Sequence, residues 1–124
     1  MLRRRNYRHY LKHKEAARAA VHARLAHYNR HYNHALRRVF IKNSKSRWGS
    51  CSSAGNLNFN YKLIFLPPEV LDYVVVHELC HLKEFNHGPE FWALVAQALP
   101  NHKELRKALR AAERAYYGKF SPVW

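Results

Sequence analysis

Two histidines four residues apart, His77 and His81, with a carboxylate directly after the first, Glu78, make an H-E-x-x-H pattern inside the run Val74-Val75-Val76-His77-Glu78-Leu79-Cys80-His81. On an α-helix, residues i and i+4 lie on one face, so the two imidazoles can offer nitrogens to a single metal ion. Glu78 sits beside that face, where it can reach a water on the metal without ligating it. A catalytic zinc takes three protein ligands, with Zn–N of about 2.0–2.1 Å, and keeps one position open. A third ligand is therefore required. His87 is the best-placed candidate, because Gly88-Pro89 reads as a turn into a new helix that folds the chain back beneath the first two; a later Glu or His is the competitor. The chemistry such a set supports is hydrolysis by a zinc-activated water, with Glu78 as the general base.

The chain contains ten histidines, so a chance H-x-x-x-H pair on a surface helix has to be weighed. The flanks argue against it. Val70, Leu71, Val74, Val75, Val76, Leu79, Leu82 and Phe85 make this segment apolar nearly all round, the pattern of a buried helix. Polar groups inside such a helix need partners, and a metal supplies one. A second pair at the same spacing, His27 and His31, lacks both the carboxylate and the apolar flanks and reads as solvated.

The motif has company. Lys45-Ser46-Arg47-Trp48-Gly49-Ser50-Cys51, Gly55-Asn56-Leu57-Asn58-Phe59-Asn60, Leu66 to His81, and His87-Gly88-Pro89-Glu90-Phe91-Trp92 together resemble the YgjP-like metallopeptidase domain, a relative of the SprT-type zincins. The resemblance runs from Lys45 to about Leu109, roughly half the chain. It implies a compact α+β zincin-like core, zinc held by His77, His81 and His87, Glu78 as general base, and a peptide or protein substrate. It also implies an edge strand beside the metal that binds the substrate by backbone pairing, a role expected of the strand read at Asn56–Leu66.

At 124 residues the expectation is one domain, 1–124, large enough to bury a core. It comprises a basic helical segment, 1–36, and a zinc core, 37–117. The charge is uneven. Of 22 basic and 8 acidic residues, 14 basic ones and a single acid, Glu15, fall within 1–47, a net of +13; residues 48–124 carry 8 and 7, a net of +1. An excess confined to one segment suggests attraction to nucleic acid, an acidic partner or an anionic membrane surface. Two cysteines, Cys51 and Cys80, make no disulfide framework and fit a reducing, cytoplasmic setting. No apolar run approaches the length of a membrane span, and the amino terminus lacks the apolar centre of a secretory signal.

The positioning elements follow in chain order. A basic start that reads as frayed covers residues 1–10. A helix from about Leu11 to Leu36 follows, with Val21, Leu25, Tyr28, Tyr32 and Leu36 as its buried stripe and Arg18, Arg24, Arg30 and His34 on solvated faces. Val39-Phe40-Ile41 is a short strand, Asn43 to Gly55 a loop or tight hairpin, and Asn56 to Leu66 a strand by its alternation. Pro67-Pro68 ends that strand and opens the metal helix, which is expected to run to about Phe85. Glu90–Leu99 and His102–Tyr117 are the last helices, the second stopped by Gly118. The result is a small sheet packed against about four helices, with the H-E-x-x-H helix buried at the centre.

Two other chemistries share these residues. The zinc, water and Glu78 could act on a nucleotide or another phosphoanhydride, although no phosphate-cradling Gly-rich motif is present. A structural zinc in a nucleic-acid-associated protein would need a fourth protein ligand where this pattern leaves an open position. Arg47, Tyr61, Tyr73 and His102 are the candidates for steadying a developing oxyanion.

Overall fold

The computed structural model describes residues 2–117, with side chains over residues 4–115. In order, it contains α1 (Leu2–Tyr32), β1 (Val39–Lys42), β2 (Gly49–Cys51), β3 (Leu57–Asn60), a 3-10 helix (Tyr61–Phe65), α2 (Pro68–His81), α3 (Pro89–Ala98) and α4 (His102–Tyr117). The sheet order is β1-β3-β2, with β3 parallel to β1 and antiparallel to β2. This is the expected α+β arrangement. α2 is its axis: α1, α3, α4 and β2 all pack on it, and every residue from Tyr73 to His81 is buried. Pro68 stands at its first turn, where a missing N–H costs nothing.

α1 is longer at its start than its sequence suggests and shorter at its end. Residues 2–10 are helical because the start has a surface to dock on: Tyr10 Oη donates to the Ile41 carbonyl at 3.1 Å, and His9 Nδ1 meets Tyr61 Oη at 2.7 Å. Helix formers such as Leu, Arg and Lys then suffice for the overhang. The helix stops at Tyr32, since Asn33 takes a left-handed φ of +53° and the Asn29 amide ties down His34. Asn29 Nδ2 donates to the His34 carbonyl, and the His34 N–H donates back to Asn29 Oδ1. Ala17, Val21 and Leu25 are buried, while Tyr28, Tyr32 and Leu36 pack half-buried against them.

Arg24 is not on a solvated face. Its Nε and Nη2 donate to the two Asp72 carboxylate oxygens at 2.8 and 2.9 Å, and Tyr28 Oη donates to the same carboxylate at 2.7 Å. Asp72 lies on α2, so this fork fixes α1 against the central helix. Asp72 raises the Arg24 pKa through that hydrogen bond. Arg24 keeps 39% of its side chain exposed against 15% for Asp72, so we place the pair between surface and buried values, at about 1–2 kcal/mol.

Two further boundaries differ from expectation. The Asn56–Leu66 alternation covers a strand only as far as Asn60. There Asn60 Oδ1 accepts from the Lys62 N–H and its Nδ2 donates to the Ser44 and Arg47 carbonyls. That side chain caps a 3-10 turn, in which Tyr61 and Leu63 stay buried, so the alternation outlasts the strand. The metal helix ends at His81 rather than Phe85, and the Lys83 and Glu84 N–H groups close it on the Cys80 carbonyl. Gly118 and the Tyr116 side chain lie outside the described residues.

Candidate metal centre

α2 presents His77 and His81 on one face, 1% and 8% exposed. The reversal after His81 returns His87 to the same point. The three Nε2 atoms lie 3.1 Å (His77–His81), 2.9 Å (His81–His87) and 3.2 Å (His77–His87) apart. Two imidazoles are buried and the third is exposed, so the cluster has one wet side. Burial holds the pKa of all three below the usual histidine value, and the Arg106 charge adds to that at His77 and His87. At neutral pH they are neutral ligands. For His81 the tautomer follows as well, because Nδ1–H donates to the Glu84 carbonyl at 2.9 Å and leaves Nε2 with its lone pair.

Three such lone pairs turned on one another repel unless a cation sits between them. A tetrahedral zinc with Zn–N of about 2.0–2.1 Å holds its nitrogens about 3.3–3.4 Å apart, within a few tenths of an ångström of the spacing here. Among the described residues, these three are the group of histidine, cysteine and acidic side chains that could hold a metal ion. The residues fit the ion.

Aromatic rings enclose the cluster. Phe91, fully buried on the first turn of α3, stacks on His81 at 4.4 Å and meets His77 and His87 at 5.0 Å. Trp92 stacks on His87 at 6.0 Å and on His102 at 5.2 Å, and Arg106 stands 5.7 Å from the Trp92 ring centre. Arg106 is a neighbour of the site that the sequence reading did not single out. Its signal is its place one helical turn after His102.

Glu78 is 2% exposed. Burial pushes its carboxyl up to about 8, with the Arg47 charge opposing the rise. Its near neighbour is a glycine. A Cβ at Gly49 would stand 2.9 Å from the Asn58 carbonyl oxygen and 3.1 Å from Glu78 Cγ, so β2 approaches α2 this closely only because Gly49 has no side chain. We predict that Gly49→Ala displaces β2 or the Glu78 side chain and lowers kcat/KM on a peptide by at least about tenfold. The metal, held by imidazoles elsewhere, should be retained. Steady-state kinetics beside metal analysis checks this, and unchanged kinetics would show that the close approach is not used.

β3 is the middle strand, so it has no free edge for a substrate, contrary to the role expected of Asn56–Leu66. The edge beside Glu78 is β2. The Trp48 carbonyl accepts from the Asn60 N–H, and the Ser52 N–H donates to the Asn56 carbonyl. By antiparallel alternation Trp48, Ser50 and Ser52 turn their backbone groups to β3, while Gly49 and Cys51 turn theirs to the free edge.

Other predicted residues fall as follows. His27 packs on Tyr28, and His31 Nε2 meets Gln97 Oε1 at 2.9 Å; among the described residues that pair forms no cluster with a third ligand. The Tyr61 hydroxyl is engaged by His9 at α1. Tyr73 is fully buried, 5.9 Å from the His77 ring, and burial raises it to about 12. Burial likewise raises Cys51 to about 11 and Cys80 to about 12, thiols that stay protonated at neutral pH.

Four helices and a small sheet around a histidine-bearing central helix define a compact α+β metallopeptidase fold. Two solved structures share it. Abylysin, a metallopeptidase zymogen from Pyrococcus abyssi, aligns with a TM-score of 0.68 and 24% identity over 74% of this chain and 93% of its own. Jannalysin, a metallopeptidase zymogen from Methanocaldococcus jannaschii, aligns with a TM-score of 0.59 and 22% identity over 77% and 95%. The model of the YgjP-like metallopeptidase domain matches residues 2–112, and the chain belongs to that family. The match takes in α1 as well as the Lys45–Leu109 stretch. A search of curated proteins finds no match. No helix among the described residues is long and apolar enough to cross a membrane.

Proposed function

We propose that this chain is a zinc metallopeptidase of the H-E-x-x-H plus His type, with His77, His81 and His87 holding the metal and Glu78 as general base. The observation that carries the reading is the meeting of three neutral imidazole nitrogens within 3.2 Å of one another, on a helix whose next residue is a buried carboxylate. Zinc bound there would polarise a carbonyl oxygen, lower the pKa of water and hold Glu78 ionised against its burial.

The rest is the work of the chain. The free edge of β2 pairs with an extended peptide through the backbone groups of Gly49 and Cys51. Glu78, walled by Gly49 and β2, takes the proton of the attacking water on a carboxylate oxygen and delivers it to the leaving amine. Phe91 and Trp92 keep water from the back of the imidazoles, and no covalent intermediate forms. We read residues 1–124 as one domain, since α1 is tied to α2 by Arg24–Asp72. Two free cysteines suit a reducing compartment such as the cytoplasm. Arg4, Arg5 and Arg8 are exposed around Tyr7 on the first turns of α1. That surface is where a polyanion such as nucleic acid would be drawn, and the peptidase reading does not depend on it.

The test is metal removal and return. Chelator-treated protein should hydrolyse no unfolded protein substrate, and about one equivalent of zinc per chain should restore cleavage. Cleavage by protein shown to be metal-free would overturn the reading.

A further inference from the structure

Beside β2 the sheet carries a second feature. A cleft of about 290 Å³ is lined by Lys42 at the end of β1, Ser44 and Arg47 in the connection, Gly49 and Ser50 on β2, and Asn58 on β3. Its ionisable lining residues are both cations. Lys42 and Arg47 are exposed, and neither forms an ion pair with a carboxylate among the described residues, although the Arg47 charge is felt at buried Glu78. Lys42 Nζ instead stands 5.1 Å from the Phe40 ring centre. Ser50 Oγ accepts from Asn58 Nδ2 at 3.1 Å, which leaves its own hydroxyl proton to donate.

The cleft adjoins the catalytic machinery. Gly49 lines it, and a Cβ on Gly49 would meet Glu78 Cγ at 3.1 Å. One residue without a side chain therefore separates the cleft from the buried carboxylate. A peptide paired with the free edge of β2 would place successive side chains on opposite faces of the sheet. Those on the face of Ser50 and Asn58 look over the two cations.

We propose that this cleft is a specificity subsite for an acidic side chain flanking the scissile bond, with Arg47 and Lys42 as its charged wall and Ser50 Oγ as a neutral donor. The proposal rests on the peptidase reading given above. A carboxylate takes charge-assisted hydrogen bonds here that the isosteric amide takes only as neutral ones. The cleft is open to solvent, so the expected gain is modest, roughly five- to tenfold for Glu over Gln.

The experiment uses a set of short peptides in which a single Glu, or Gln in its place, is walked through the positions around the cleavage point. Two readouts are taken: kcat/KM with the zinc-loaded protein, and calorimetric affinity for the Glu78→Gln protein, which binds without turnover. At one position the Glu peptide should be favoured in both. The Arg47→Gln/Lys42→Gln double variant should lose that preference both in binding and in the ratio of the Glu to the Gln rate; its absolute rate is not the readout, because the Arg47 charge also acts on Glu78. Because a chain of net charge +14 attracts any anionic peptide, the Arg5→Gln/Arg30→Gln double variant, at two exposed positions on α1, serves as a charge-matched control and should leave the preference intact. Cleavage of Glu and Gln peptides at equal rates would sink the subsite and leave the peptidase standing. So would a preference that survives the Arg47→Gln/Lys42→Gln variant, or one that falls as much in Arg5→Gln/Arg30→Gln. If no peptide were cleaved but the binding preference followed Arg47 and Lys42, the subsite would stand and the peptidase reading would fall. Absence of both would end both.

Discussion

Glu78→Gln is expected to lower peptide hydrolysis by about 10²–10⁴-fold while the protein keeps its metal. Gln fills the same volume beside Gly49 but takes no proton from water, and Glu78 is not one of the three converging imidazoles. The same substitution should stabilise the metal-free protein. Burial raises the folded pKa of Glu78 to about 8 from 4.5. Relative to Gln, the wild-type carboxyl therefore costs nothing below pH 4.5, where it is protonated in both states. It becomes destabilising as pH rises from there to about 8, because only the unfolded state ionises freely. At pH 7 the variant should unfold at the higher denaturant concentration, by an amount on the order of a few kcal/mol, and the gap should close on acidification. Metal content, cleavage rate and unfolding midpoints of the two proteins check the three statements. Undiminished hydrolysis in the variant would remove Glu78 from its role.

His81→Ala should have the opposite signature: lost metal, lost hydrolysis and a lower melting temperature. Losing an outer-shell partner of a metal ligand typically costs about ten- to hundredfold in affinity, and losing a ligand should cost more. Zinc bound only by the folded state raises stability with its concentration, by about 4 kcal/mol at a thousand times Kd. Wild type should therefore melt higher with added zinc, and His81→Ala should not respond. The variant also empties space against Phe91, which stacks on His81 at 4.4 Å, so its metal-free melting point should fall as well. His31→Ala, on an exposed residue that meets Gln97 and the Tyr32 ring and lies outside the histidine cluster, is the control and should retain the zinc response. Equal responses in all three proteins would mean that the ion binds elsewhere.

The central helix is legible in the sequence because two independent signals agree. Its apolar residues run all round, and the three polar ones at its end are the three that need partners. Pro68 marks its start without ambiguity. Its end is less legible, since Leu82 and Phe85 continue the apolar pattern through a turn set by backbone hydrogen bonds to the Cys80 carbonyl. The same limit blurs Tyr61 and Leu63. Both are buried, so alternation persists where strand geometry has stopped, and only the Asn60 cap marks the change. Arg24 is misread from periodicity for a different reason. Its face is polar, but the partner that buries it, Asp72, lies 48 residues away, a distance that no local pattern spans. The site shows the same division. Its ligands and base lie within eleven residues of one another and are visible together. Gly49 and Arg106 reach it only through the fold.

The ring of His81 is oriented by the main-chain carbonyl of Glu84, a group that every amino acid carries. Exchanging the side chain at position 84 leaves the acceptor in place, so this alignment is robust to point substitution there. What it depends on is spacing. The reversal from Leu82 to Gly88 must be long enough to present that carbonyl and to return His87, and no longer. Heritable variation in this turn should therefore be free in letter and restricted in length: a one-residue insertion or deletion would misalign two imidazoles at once, while many changes of residue type would pass unnoticed.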